Sequence, residues 1–239
     1  AESAKMHDSI QDMTSHDSSD TIAIISPHGL MLPDRVAIIN TEFSTGKYDL
    51  KGGKLEKRYS IDRELALALK DAADDTADLV GYVTSSGPLS DFPLDFGSLI
   101  PLTFFGERRL VLMGQPRPRN VDRLFQFGKT LYSWSRGVDT KVGIIFSADQ
   151  AHTHAQDGPY GFSEEAEKYD SEIASAIEEN DFSKVRELQP EFISKAKPDS
   201  FWNMIALAGF LEASGLRMKV NYYYVEHYFG MMAASVKHA

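Results

Sequence analysis

The stretch TIAIISPHG, residues 21–29, packs branched apolar residues into one strand-length run and stops it abruptly on Ser26, Pro27 and His28. Proline lacks the amide that a sheet ladder needs, so the ladder ends there and presents an imidazole at a strand end. The same grammar recurs. KVGIIFSADQAHTH runs apolar to Phe146 and then sheds Ser147, Asp149, His152 and His154. KVNYYYVEHYFG reaches Glu226 and His227 before a glycine and reads as the final strand.

Helical patterns lie between the strand-like runs. SIDRELALALKDAADD sets Ile61, Leu65, Leu69 and Ala72 in one apolar stripe, with Ser60 as the expected cap. NVDRLFQFGKTLYSWSR does the same with Val121, Leu124, Phe125, Leu131 and Tyr132. LVGYVTSSG and ERRLVLMG read as strands, TGKYDLKGGKLEKRY as a hairpin, and helices are expected over about 163–179, 181–195 and 199–213. This alternation predicts an α/β fold: a single domain over residues 1–239, with a central mixed sheet flanked by helices. In such sheets ligands gather where strand ends meet loops, so a metal site at the strand ends is expected.

A formal net charge of -10 argues against a nucleic-acid surface or an anionic membrane as partner. The absence of cysteine excludes disulfides, thiolate metal sites and a cysteine nucleophile. His, Asp and Glu are left to bind any metal, which suits Fe(II), Mn or Zn. The chain shows neither a long apolar span nor a charged-then-apolar leader, and a soluble, cytoplasmic protein is the expectation. Met6, Ile10 and Met13 recur at helical spacing from the outset, so an upstream segment is expected.

Each chemistry-bearing residue has two readings. His28 is either a metal ligand or a turn histidine. Glu226 is a costly carboxylate in an apolar stretch unless it is paired, metal-bound or facing water. His152 and His154, one residue apart, can share a face of an extended segment or belong to a solvated loop. GPYG at 158–161, with Tyr160, is a turn or a lid edge, and RPR at 117–119 meets an anionic substrate or only solvent. A Ser147, Asp149 and His152 hydrolytic group is set aside, because no G-x-S-x-G elbow surrounds the serine.

The ordered set of motifs resembles the class III, LigB-like extradiol ring-cleavage dioxygenases. DTIAIISPHG is similar to that family's second metal-histidine segment, and LDFGSLIPLTFF at 94–105 to its Asp-x-Gly-x-x-x-Pro-Leu segment. FQFGKTL at 125–131 resembles its Phe-x-x-Gly-Lys helix, and IIFSADQAH its Ser-Gly-Asp-Leu-Ser-His element. EEAEKYDSEIASAIEENDF resembles the following helix, and VEHYFGM the C-terminal Glu segment.

The resemblance implies that His28 and Glu226 bind Fe(II) and that His152 is the acid/base histidine. It also implies a substrate pocket involving Asp95, Phe96, His154 and Tyr160. A catechol-type substrate and O2 would be the small-molecule partners, with a second copy of the chain as protein partner. His152 would take a phenolic proton and later return it. Two departures stand out. The family's first metal histidine lies in an early strand that this chain lacks, so two protein ligands alone should hold iron weakly. Phe96 stands where many members carry His, which implies a more apolar pocket. The alternative is a Memo-like protein that binds a metal or a partner without ring cleavage; a metal-dependent hydrolase is third.

Overall fold

The computed structural model describes residues 1–50, 53–81, 83–84, 87–88 and 90–237. The chain opens with α1 (Glu2–Thr14), β1 (Thr21–Ser26), β2 (Val36–Ile39) and the hairpin β3 (Phe43–Leu50) and β4 (Gly53–Ser60). Then come α2 (Arg63–Ala73), β5 (Ala77–Val80), β6 (Val83–Thr84), β7 (Gly87–Pro88), β8 (Asp91–Pro93) and α3 (Phe96–Leu102). β9 (Arg109–Gly114), α4 (Asp122–Gly137) and β10 (Val142–Phe146) follow. The last third holds α5 (Glu165–Glu179), α6 (Ser183–Arg186), α7 (Pro190–Ala196), α8 (Ser200–Ser214), β11 (Met218–Glu226) and β12 (Phe229–Val236). The tip of the expected hairpin at 51–52, and positions 82, 85 and 86 of the expected LVGYVTSSG strand and turn, lie outside the described residues.

The central sheet runs β10-β1-β9-β2-β5. β1 is parallel to both β9 and β10, and β2 is antiparallel to β9, so the sheet is mixed. β1 is buried at every position, as a central strand covered on both faces must be. Its alternation sorts the core into two. Ala23 and Ile25 join Val111 and Met113 beneath the helical layer of α2, α4, α5 and α8. Ile22 and Ile24 join Leu110 and Leu112 on the opposite face, against Leu99 and Leu102 of α3 and Tyr59 of β4.

Three local details differ from the sequence reading. Asp62 rather than Ser60 caps α2, accepting from the Leu65 amide at 3.2 Å. Ser60 is still paired in β4, opposite Phe43, so the chain cannot turn until two residues later. The helix expected over 181–195 is two short helices, α6 and α7, divided before Pro190, which sits at the first turn of α7. The final strand is a two-stranded antiparallel ribbon, β11–β12, that turns directly after Glu226.

Candidate active site

The register of the parallel strands brings their carboxyl ends level. Ser26 of β1 pairs with Gly114 of β9, and Ile25 pairs with Phe146 of β10. The three segments that leave these ends carry His28, Arg117, and the Asp149–His152 pair. Backbone bonds continue the alignment beyond the strands: the Ser147 amide donates to Ile25 O and the Gln115 amide to Ser26 O, both at 3.0 Å. Buried Asn203 of α8 donates to both Ile25 O and Ser147 O, clamping β1 to β10 where the site begins.

Asp199, just before α8, arrives from the other side. Its carbonyl accepts from the Gln115 side-chain amide at 2.9 Å. Its carboxylate does not cap its own helix. Instead Oδ1 accepts from Arg117 at 2.6 Å, while Oδ2 lies 3.5 Å from His28 Nε2. Asp149 Oδ2 lies 4.0 Å from the same nitrogen. Among the described residues, His28, Asp149 and Asp199 offer three potential ligand atoms within 4.8 Å of one another.

His28 is held by its surroundings. Its amide donates to Ser26 Oγ at 3.3 Å, and Ser26 Oγ donates to Asp95 Oδ1 at 2.6 Å. Phe96 packs against the imidazole with its ring tilted by 31° and centroids 4.2 Å apart. α3 can approach this closely because Gly97 has no side chain; a Cβ there would lie 2.8 Å from His28 Cδ2.

His152 faces the same carboxylates, with Nε2 3.7 Å from Asp149 Oδ2 and 3.9 Å from Asp199 Oδ2. Its Nδ1 lies 2.9 Å from Lys197 O. A carbonyl only accepts, so Nδ1 carries the proton and Nε2 is the nitrogen that exchanges one. Burial opposes a charge on this ring. Asp149, the Asp199 charge and the Lys197 carbonyl outweigh that penalty and raise its pKa above the ordinary 6.5.

Two cavities flank the cluster. One of about 590 Å³ lies beside His28 and Asp95 and is otherwise walled by Leu30, Val80, Phe92, Pro93 and Leu94. The other, about 290 Å³, lies beside His152 and Asp199. Tyr160 lines the second cavity. Asp95 borders the first but spends its carboxylate on Ser26 and on capping α3 through Ser98. His154 lines neither; its Nε2 is bonded to buried Asp170 at 2.8 Å.

Glu226 is not a member of the ligand group around His28. It is exposed at the end of β11, beside Tyr224. The β11–β12 ribbon is half-solvated, so a carboxylate at its tip can stay in water, where Glu226 accepts from the Tyr224 hydroxyl. His227 follows in a left-handed conformation and pairs with Asp157 at 3.1 Å. The carboxylates beside His28 are Asp149 and Asp199. The sequence showed Asp149 at a strand end and in a rejected triad but not as a ligand, and Asp199 carried no local signal.

The family profile described as the catalytic LigB subunit of aromatic ring-opening dioxygenase matches residues 1–236. The chain belongs to the LigB family. Among similar proteins, CA_C1420 of Clostridium acetobutylicum is 22% identical over 210 residues, covering 84% of this chain. The LigB chain spans 44% of that relative's length. The crystal structure of protein JW3007 from Escherichia coli K12 superimposes with a TM-score of 0.65 at 13% identity, covering 95% of this chain and 89% of that one. That likeness shows a shared α/β fold. No helix among the described residues of the LigB chain is long and apolar enough to cross a membrane.

Proposed function

We propose that this LigB-family chain cleaves a catechol-type ring beside its hydroxyls with O2, using Fe(II) held by His28, Asp149 and Asp199. The observation that carries this reading is the sharing of two carboxylates by two imidazoles: Nε2 of His28 and Nε2 of His152 both face Asp149 and Asp199. One nitrogen and two oxygens form a donor set suited to Fe(II), Mn or Zn, and three protein ligands leave positions open. When bound, such a metal supplies a Lewis acid and, as Fe(II), a route for electrons between ring and O2.

The chain's own residues do the rest. His152 takes the proton of a catechol hydroxyl at Nε2 and returns it to the ring-opened product, while Lys197 O fixes the tautomer. Arg117 holds Asp199 Oδ1 and so aims Oδ2 at the metal position. Phe96 covers one face of His28 and limits water there. The substrate ring enters beside the apolar cavity of Leu30, Phe92 and Leu94.

The test is anaerobic loading of the chain with Fe(II), followed by O2 uptake with a panel of catechols. His152→Ala is expected to retain iron yet lose roughly 10²–10⁴ in turnover, the usual contribution of such a proton carrier. Asp199→Asn should lose iron, and Glu226→Gln should keep it. Bound iron with no O2 uptake on any catechol would move the reading to the Memo-like, metal- or partner-binding role.

A further inference from the structure

His152 is gripped from two sides. On one side stands the end of α7: the His152 amide donates to Ala196 O, the Thr153 hydroxyl to Lys195 O and the ring Nδ1 to Lys197 O, each at 2.9 Å. On the other side stand the turn of the β11–β12 ribbon and the first residues of β12. The Gln150 amide donates to Gly230 O at 2.9 Å, the Gly230 amide to Ala151 O at 3.0 Å and the His154 amide to Tyr228 O at 3.0 Å. The Phe229 ring lies at 22° to the imidazole, with centroids 5.9 Å apart. The ribbon is thus the back wall of the segment that carries His152.

A buried carboxylate makes the join. Asp170 of α5 is 2% exposed and lies outside the ligand group around His28. Its Oδ1 accepts from the Ala151 amide at 2.9 Å. Its Oδ2 accepts from His154 Nε2 at 2.8 Å and from the Tyr223 hydroxyl at 2.7 Å. Ala151 and His154 bracket His152, so both ends of that short segment hang on one carboxylate, and Tyr223 ties the carboxylate to β11. Burial, and then the Asp170 carboxylate, hold the Tyr223 pKa above the ordinary 10, so the hydroxyl keeps its proton and donates. From β12, Gly230 leaves the carboxylate its place: a Cβ there would lie 2.0 Å from Oδ2. A buried polar group with its partners satisfied on both oxygens is rigid, and it fixes whatever it binds.

We infer that Tyr223 is a positioning residue for His152, acting from the β11–β12 ribbon through Asp170 and the residues on either side of the imidazole. The inference deepens the ring-cleavage reading and rests on it only for the proton that His152 moves; the hold itself rests on the hydrogen bonds. Proton transfer needs Nε2 within hydrogen-bond reach of the hydroxyl it serves, and a misplacement of about 1 Å costs roughly 10²-fold. The Tyr223 hydroxyl touches neither the ligand group nor His152, so its removal changes the placing of the imidazole and leaves the reacting groups in the chain.

The test is Tyr223→Phe in the full chain, read first by amide hydrogen exchange without metal. The Ala151 and His154 amides should exchange about tenfold faster, the low end for loss of a hydrogen bond to a charged group, while Ile24 at the centre of β1 keeps its rate. Gly230→Ala, which pushes the carboxylate aside from the other strand, should speed the same two amides. Tyr222→Phe is the control, since that hydroxyl donates to Glu2 of α1 instead, and it should leave both rates unchanged. In the Fe(II)-loaded chain, Tyr223→Phe should lower kcat roughly 10–10²-fold with KM and iron content within about twofold of wild type. Unchanged exchange at Ala151 and His154, an equal rise at Ile24, or the same rise in Tyr222→Phe would each overturn the inference. Faster exchange at Ala151 and His154 alone, in a chain inactive on every catechol, keeps the hold on His152 and overturns ring cleavage; wild-type kcat in Tyr223→Phe of an active chain does the reverse.

Discussion

At the scale of single residues, the site turns on His152. In the metal-free protein its imidazole should titrate above the ordinary 6.5, because the carboxylates of Asp149 and Asp199 and the Lys197 carbonyl outweigh burial. Asp149→Asn should bring that titration down, read by NMR of the ring; an unchanged value would remove Asp149 as a cause. The sign for stability follows. A pKa raised by folding stabilises the fold fully below the unfolded value and loses that stabilisation as pH rises through the folded value. The metal-free chain should therefore lose this contribution on going from acid to alkaline pH. His28 and His152 stand out in the sequence because each lies in the segment that leaves a strand-like run, His28 just after β1 and His152 farther past β10. Asp199 was not, since it reaches the cluster through Gln115 and the start of α8, a contact between segments far apart in the chain. Glu226 stands outside this cluster, and the hairpin that carries it was not legible because its turn is made by His227 in a left-handed conformation, where Gly or Asn would have announced it.

At the scale of elements, the order of strands and helices was legible because each long segment keeps one period, and the errors fell at the caps and turns between the periodic segments. FQFGKTL shows what a motif can mean physically. Gly128 of α4 lies against the Ala206 carbonyl of α8, and Gly209 of α8 against the Phe125 carbonyl of α4. A Cβ at either place would overlap backbone, which cannot rotate away. Gly128→Ala should force the helices apart and cost about 1–3 kcal/mol or more, the range for overpacking, read as a lower urea midpoint. An unchanged midpoint would mean the helices do not cross this closely. Asp170 of α5 plays a comparable part for the segment around His152. It accepts from the Ala151 amide at 2.9 Å, from His154 at 2.8 Å and from the Tyr223 hydroxyl at 2.7 Å. Gly230 leaves room for its carboxylate. Asp170→Ala would strand the buried Ala151 amide and His154 ring donors at about 1 kcal/mol or more each, so a loss of at least about 2 kcal/mol is expected in denaturant unfolding. A loss below about 1 kcal/mol would show that water replaces the carboxylate.

At the scale of the whole molecule, the candidate ligands join parts of the fold that the chain itself holds apart. His28 leaves β1, Asp149 leaves β10, and Asp199 precedes α8, which packs across the helical layer. Without a cation, two carboxylates face each other across two imidazoles. With one, the three elements share a centre that the unfolded chain cannot assemble. Binding to the folded state alone stabilises it by mass action, about 2.7 kcal/mol at a free metal concentration one hundred times Kd. Zn(II), or Fe(II) without oxygen, should therefore raise the thermal midpoint, and the rise should grow with the logarithm of metal concentration. Asp199→Asn should flatten that dependence while its metal-free midpoint stays measurable as the baseline. Glu226→Gln should leave it intact, because Glu226 stands in solvent at the tip of the β11–β12 ribbon. A metal response lost in Glu226→Gln and kept in Asp199→Asn would reverse the assignment, and would mean that the ribbon folds over onto His28 when a cation is bound.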